Sequence, residues 1–169
     1  MKTLKESILS RSSHSGEGFK AQRRELIENW LKEYDIQNYT IKDDFTIDVD
    51  GSIYLNNRNL EEFPDYIQFG VVKGFFDCSF NKLTSLEGAP EKVGEAFSCN
   101  HNRLTSLEGA PKRVRRSFNC DHNKLTSLEG APKEVGRSFY CSGNKVQFTE
   151  EDVRKVCNVK GEIILNLEL

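Results

Sequence analysis

The sequence predicts a strand-dominated solenoid of stacked 21-residue units, α/β by convention, with a helix-plus-hairpin cap at the N-terminal end and a short helix-strand cap at the C-terminal end. Three observations carry this expectation. Cys78, Cys99, Cys120 and Cys141 follow one another at steps of 21 residues. The same step repeats four other columns: Asn81, Asn102, Asn123 and Asn144; Leu83, Leu104, Leu125 and Val146; Phe76, Phe97, Phe118 and Phe139; and Val72, Val93, Val114 and Val135. The text Leu-Thr-Ser-Leu-Glu-Gly-Ala-Pro occurs three times, at 83–90, 104–111 and 125–132. Self-similarity at a fixed period of this length marks a repeat architecture, in which one unit alone buries too little surface and shares its stability with its neighbours.

Each column has a physical role to play. Phe and Cys alternate with polar residues at period two, so F-x-C reads as a short strand with one face buried. Stacked copies of that strand lie ~4.8 Å apart and form a parallel sheet on one side of the coil. The Asn column is expected to turn inward, its amide satisfying backbone groups where the chain leaves the strand. The two leucines of Leu-Thr-Ser-Leu, with the Val, then close the core. Pro ends each return segment as an extended or turn conformation, since a unit this short has no room for a long helix.

Each unit contains F-x-C-x-x-N-x-L, which matches the second half of the leucine-rich pattern L-x-x-L-x-L-x-x-N/C-x-L. The first Leu of that pattern falls on Lys73, Gly94, Arg115 or Gly136, with Val one place earlier. The segments Asn102-Arg103-Leu104-Thr105-Ser106-Leu107 and Asn123-Lys124-Leu125-Thr126-Ser127-Leu128 resemble the short bacterial leucine-rich repeats of secreted effectors, with Glu-Gly-Ala-Pro in place of the usual Leu-Pro arrangement. Together with Ile47-Asp48-Val49-Asp50-Gly51, the Ser-Leu-Glu-Gly-Ala-Pro text is also similar to small repeat proteins encoded by tailed bacteriophages. The repeat likeness covers 55–148, including a degenerate first unit with Leu55, Leu60, Phe63, Ile67 and Phe69, 23 residues separating Leu55 from Cys78. The resemblance implies a leucine-rich-repeat solenoid that binds another protein and, if phage-encoded, inhibits a host or defence protein in the host cytoplasm.

The flanks are expected to cap the stack, because terminal repeats otherwise expose core and sheet edge. Residues 1–18 read as an N-terminal segment (Leu4 to Leu9) followed by a Ser/Gly-rich flexible linker. Residues 19–54 read as the N-terminal cap. Within it, 20–34 is an amphipathic helix with Leu26, Ile27, Trp30, Leu31 and Tyr34 on one side. A hairpin carrying Tyr39, Ile41, Phe45, Ile47 and Val49 follows, before the Asp50-Gly51 turn signal. Residues 149–169 read as the C-terminal cap. Thr149 starts a short helix with Asp152 at its third position, and Ile163, Leu165, Leu167 and Leu169 share one face of a strand after Gly161. That strand could seal the last sheet edge or join a second copy of the chain.

The bulk numbers narrow the class further. At 169 residues, 37% apolar and 30% charged, the chain is too apolar for wholesale disorder and too polar for a helical membrane protein. The Met1–Glu6 text lacks a secretory signal's apolar run, and a cytoplasmic protein is expected. Net charge is −2, with an acidic stretch over 35–77 (three basic, nine acidic) and a basic one over 78–148 (eleven basic, seven acidic).

No catalytic, cofactor-binding or metal constellation is expected. The four ladder cysteines form a line unsuited to tetrahedral zinc, and buried free Cys behaves as a small apolar residue. Cys157 lacks the C-x-D signature of effector ligase domains, Asn158-Val159 standing in its place, and reads as core. His101 and His122, one unit apart, would stack at roughly 5 Å, too few ligands for a strong metal reading. No nucleophile–His–acid set and no glycine-rich phosphate loop is identifiable.

What remains is a surface. The outward positions along the strands, on the concave face of such a solenoid, are Phe75, Asp77, Phe80, Asn100, His101, Asn119, Asp121, His122 and Tyr140. Phe75, Phe80 and Tyr140 are the aromatic anchors, with Asp121, His101 and His122 supplying orientation. The leading expectation is a non-enzymatic protein-binding module on this face. Two alternatives stand beside it: an assembly component that oligomerises through the C-terminal strand, and a nucleic-acid binder using Lys112, Arg113, Arg115 and Arg116.

Overall fold

The computed structural model describes residues 16–166. Helix α1 (Gly16–Glu33) comes first, and the chain then winds as a β-solenoid of six coils, each giving one short strand to each of two sheets. One sheet consists of β1 (Tyr39–Ile41), β2 (Ile47–Val49), β4 (Phe69–Val72), β6 (Lys92–Val93), β8 (Arg113–Val114), β10 (Glu134–Val135) and β12 (Asn158–Val159). The other consists of β3 (Ile53–Tyr54), β5 (Phe76–Asp77), β7 (Phe97–Ser98), β9 (Phe118–Asn119), β11 (Phe139–Tyr140) and β13 (Ile163–Ile164). We call them the Val sheet and the Phe sheet. All their pairings are parallel except β1–β2, the expected hairpin.

The Val sheet departs from the expectation of a single sheet on one side. Its origin lies in the Pro that ends each return segment, which leaves the chain extended. Once the coils are in register, any extended stretch meets its own copy one rung away and hydrogen-bonds to it. Gly94 N–H thus donates to Val72 O at 2.8 Å, Arg115 N–H to Val93 O at 3.0 Å and Gly136 N–H to Val114 O at 3.0 Å. The same parallel pairing extends beyond 55–148. Ile47–Tyr54 already forms both strands of the first coil, and Asn158–Ile164 forms both strands of the last.

Between the sheets runs a fully buried column of phenylalanines. The rings of Phe76 and Phe97 stack at 5.4 Å, those of Phe97 and Phe118 at 5.5 Å, and Phe139 tilts against Phe118 at 5.1 Å. Cys78, Cys99 and Cys120 fill the next inward position, each thiol donating to a carbonyl of the following coil. Burial pushes the Cys141 thiol up to about 12 and Cys157 up to about 11, and it holds the other three well above the ordinary thiol value. Protonated and enclosed, these are packing groups and poor nucleophiles.

The Asn column turns inward as expected. Asn123 is 7% exposed, donates through Nδ2 to Cys99 O, Cys120 O and Asp121 O, and accepts through Oδ1 from Leu104 N–H. Asn81, Asn102 and Asn144 repeat the pattern, so each amide ties two coils together. On the return side, Ala89, Ala110 and Ala131 N–H donate to Leu86, Leu107 and Leu128 O, closing β-turns with a glycine third. Gly130 has φ +83°, and a Cβ there would come within 2.4 Å of the Leu107 carbonyl carbon, so only glycine makes this turn.

A helix covers the N-terminal end, and a second lies within the last coil. Helix α1 buries Ile27, Trp30 and Leu31, with the Trp30 ring 6.2 Å from Phe69 at the head of the aromatic column. It begins at Gly16, inside the segment expected to be linker; the Leu4–Leu9 segment lies outside the described residues. Helix α2 (Glu150–Val156) replaces the Leu-Thr-Ser-Leu return in the last coil. Its Thr149–Asp152 capping box forms as the sequence implied, with Thr149 Oγ1 accepting from Asp152 N–H and Asp152 accepting from Thr149 N–H. Strand β13 is shorter than the expected 163–169 run, whose last three residues lie outside the described ones. Among the described residues, no helix is long and apolar enough to cross a membrane.

Candidate functional site

The outward face of the Phe sheet is set by strand parity. With Phe76, Phe97, Phe118 and Phe139 turned in, their successors turn out, and the register aligns Tyr54, Asp77, Ser98, Asn119, Tyr140 and Ile164 across six rungs. Phe75 stands two positions before Asp77 on the same side. At the N-terminal end of this face, Tyr54 is 57% exposed and Phe75 40%, and Phe80, 50% exposed, follows where the chain leaves the strand. These three aromatics lie on neighbouring coils. Tyr140, at the other end, is half-buried, as are Asp77, Asn100 and Asn119 between them.

Tyr54 was not among the sequence candidates. Its position was nevertheless recoverable, because the step from Leu55 to Cys78 also carries Tyr54 onto Asp77.

Phe80, His101 and His122 leave the strand in a left-handed conformation, with φ of 53°, 53° and 51°. Asn57 and Gly143 occupy the same place in the coils on either side, with φ of 57° and 63°. This turn directs each N–H onto the next coil, as in His101 N–H to Asp121 O at 2.9 Å, and lets the following Asn enter the core. It also lays the three rings on one another. Phe80 stacks on His101 at 4.4 Å with 14° between planes, and His101 on His122 at 4.4 Å with 10°. Beyond His122 the stack ends on the bare Gly143, where a Cβ would meet the imidazole at 2.9 Å.

Asp121 is the one candidate that the structure turns away from solvent. It is 5% exposed, and its Oδ1 accepts from Ser142 N–H at 2.6 Å and Ser142 Oγ at 2.9 Å. Those bonds make Asp121 a clasp between coils and remove it from the orienting role expected of it. No group of three or more metal-ligand side chains gathers among the described residues, and the paired imidazoles therefore stand without a third donor.

His101 gives the stability of the fold a pH dependence. Burial, then the neighbouring His122, hold the His101 imidazole below its ordinary value, with Asp121 opposing them. The folded state therefore binds fewer protons than the unfolded chain as pH falls below the unfolded-state value near 6.5. Stability is full above that value and is lost as pH drops through it toward the folded-state value. His101→Asn, which suits a left-handed backbone as Asn57 does, should flatten the fall in melting temperature between pH 7 and pH 5 relative to the wild type. Parallel profiles would show that His101 does not titrate differently in the two states.

The basic cluster is largely spoken for. Lys112 pairs with Glu91 at 3.0 Å, Arg113 with Glu134 at 3.1 Å and Arg116 with Glu95 at 2.6 Å, each bridge joining one coil to the next. Such exposed pairs are screened by solvent and add little to stability, but they leave Arg115 as the cluster's cation without an ion pair among the described residues.

Comparisons with protein-family models, with curated proteins and with solved structures return no match to this chain.

Proposed function

We propose that this chain is a protein-binding module whose partner docks on the outward face of the Phe sheet, over Tyr54, Phe75 and Phe80. The observation that carries this reading is their shared exposure on adjacent coils of a rigid stack. Aromatic side chains present large area at low entropic cost and dominate interface energies. A solenoid locks its backbone by hydrogen bonds to both neighbours, so little freedom is lost when a partner lands. The polar, half-buried Asp77, Asn100 and Asn119 border the aromatic end on its C-terminal side with hydrogen-bonding groups, a polar edge beside an apolar anchor. On this reading the protein acts by occupying a surface and carries out no chemistry. The likeness to phage-encoded repeat proteins makes a bacterial host or defence protein the natural partner, met in the host cytoplasm.

The test is a double variant, Tyr54→Ser with Phe75→Ser, compared with the wild type in affinity capture from the cells that express the gene. The variant's circular dichroism and melting should match the wild type, since both side chains are exposed. A specific partner should lose affinity on the order of thirty-fold or more, as two anchor residues would imply. A partner held equally by both proteins would move the interface off this face.

A further inference from the structure

The Val sheet presents its own outward face, and it is charged rather than aromatic. Lys73, Gly94, Arg115, Gly136 and Lys160 form one column along it, and Lys92, Arg113 and Glu134 form the neighbouring one. In the first column a long cationic side chain alternates with bare glycine backbone from rung to rung. The alternation cuts a trough of about 590 Å³. Among the described residues, five cations line it against a single carboxylate, Glu134.

Not all of that charge is free. Glu134 sits between Arg113 at 3.1 Å and Lys160 at 2.8 Å, and Lys73 reaches Asp50 at 2.8 Å. Lys92 and Arg115 make no ion pair among the described residues, and both are exposed. Successive cations of the first column are two rungs apart, ~9.6 Å, about a Debye length at physiological salt, so they coexist without strong repulsion.

We infer that this trough is a second docking site, taking an acidic polypeptide segment laid along the stack. Charge complementarity selects an anion. From Lys73 to Lys160 the column crosses the strands β4 to β12, ~19 Å, the span of about six extended residues. A polyacidic segment of that length carries enough carboxylates to reach Lys73, Arg115 and Lys160, with Lys92 and Arg113 beside them. A single-stranded nucleic acid is the weaker fit, because no aromatic side chain among the described residues lines the trough, and such strands are held by base stacking on aromatics as well as by phosphate contacts. The site is separate from the aromatic face and does not depend on it.

The test uses the full chain and a fluorescein-labelled poly-glutamate peptide, read by anisotropy at low and at physiological salt, with an oligothymidylate of equal charge alongside. The peptide should bind with an affinity that weakens as salt rises. Lys92→Gln with Arg115→Gln should weaken it on the order of ten-fold, the scale of two exposed ion pairs. Lys73→Gln should weaken it less, and Tyr54→Ser with Phe75→Ser should leave it unchanged. Three results would overturn the inference: no peptide binding at low salt, equal binding by the Lys92/Arg115 variant, or tighter binding of the oligothymidylate. Loss of peptide binding in the Tyr54/Phe75 variant would also count against it, by placing both ligands on the aromatic face.

Discussion

Asn123→Ala should lower folding stability by about 3 kcal/mol, measured by urea denaturation. The loss does not come from the side chain's bulk. Asn123 Oδ1 is the acceptor for Leu104 N–H at 3.0 Å, in a place where Leu104 itself is fully buried. Without it that amide is orphaned, at roughly 1–3 kcal/mol. Cys99 O and Cys120 O each receive two amide donors, from Asn102 and Asn123 and from Asn123 and Asn144 respectively. The variant leaves each carbonyl with one. Asn123→Asp, nearly identical in shape, should not rescue stability, because a carboxylate cannot donate to those carbonyls and brings a buried charge. A cost below about 0.5 kcal/mol, the usual range for an indifferent surface change, would show that the ladder does not hold the coils together.

Phe118→Ala should cost about 3–5 kcal/mol, the usual range for emptying a buried aromatic site. Its position adds a consequence beyond magnitude. Phe118 lies between Phe97 and Phe139, and contacts in a solenoid run between nearest neighbours. A cavity there weakens the junction between the N-terminal coils and the C-terminal ones. The N-terminal coils keep the support of helix α1 through Trp30 and Phe69. Denaturation of the variant is therefore expected to lose its single transition and to separate into two, the C-terminal coils unfolding first. One sharp transition with an unchanged midpoint would contradict both the cost and the coupling.

These two effects rest on columns that were legible in the sequence. The stack could be read from Cys78, Cys99, Cys120 and Cys141 because identity at equal steps forces equivalent residues into equivalent places. The inward turn of Asn81 to Asn144 was legible because a polar column beside a Leu column must satisfy backbone groups. The Val sheet was missed because a two-residue strand such as Arg113–Val114 has no period of its own; it exists only through pairing with its copies. Asp121 was misplaced because its solvent access depends on Ser142 in the next coil, and no pattern within one unit encodes that bond. The ion pairs of Lys112, Arg113 and Arg116 also join coils, so a run of basic residues in the text hid their pairing with Glu91, Glu134 and Glu95. In each case the missing information was lateral, held between units rather than along the chain.

The near-identity of the coils also bears on how such a chain can change over generations. A 21-residue coil makes its hydrogen bonds to the coil before and the coil after through the same atoms each time. Removing or duplicating one whole unit, as recombination between the repeated Leu-Thr-Ser-Leu-Glu-Gly-Ala-Pro stretches would do, joins surfaces that already fit. The core columns would close up unchanged, while the ring stack and the basic column would lose or gain one member. Length and surface text can therefore vary in whole-coil steps, with the architecture left intact.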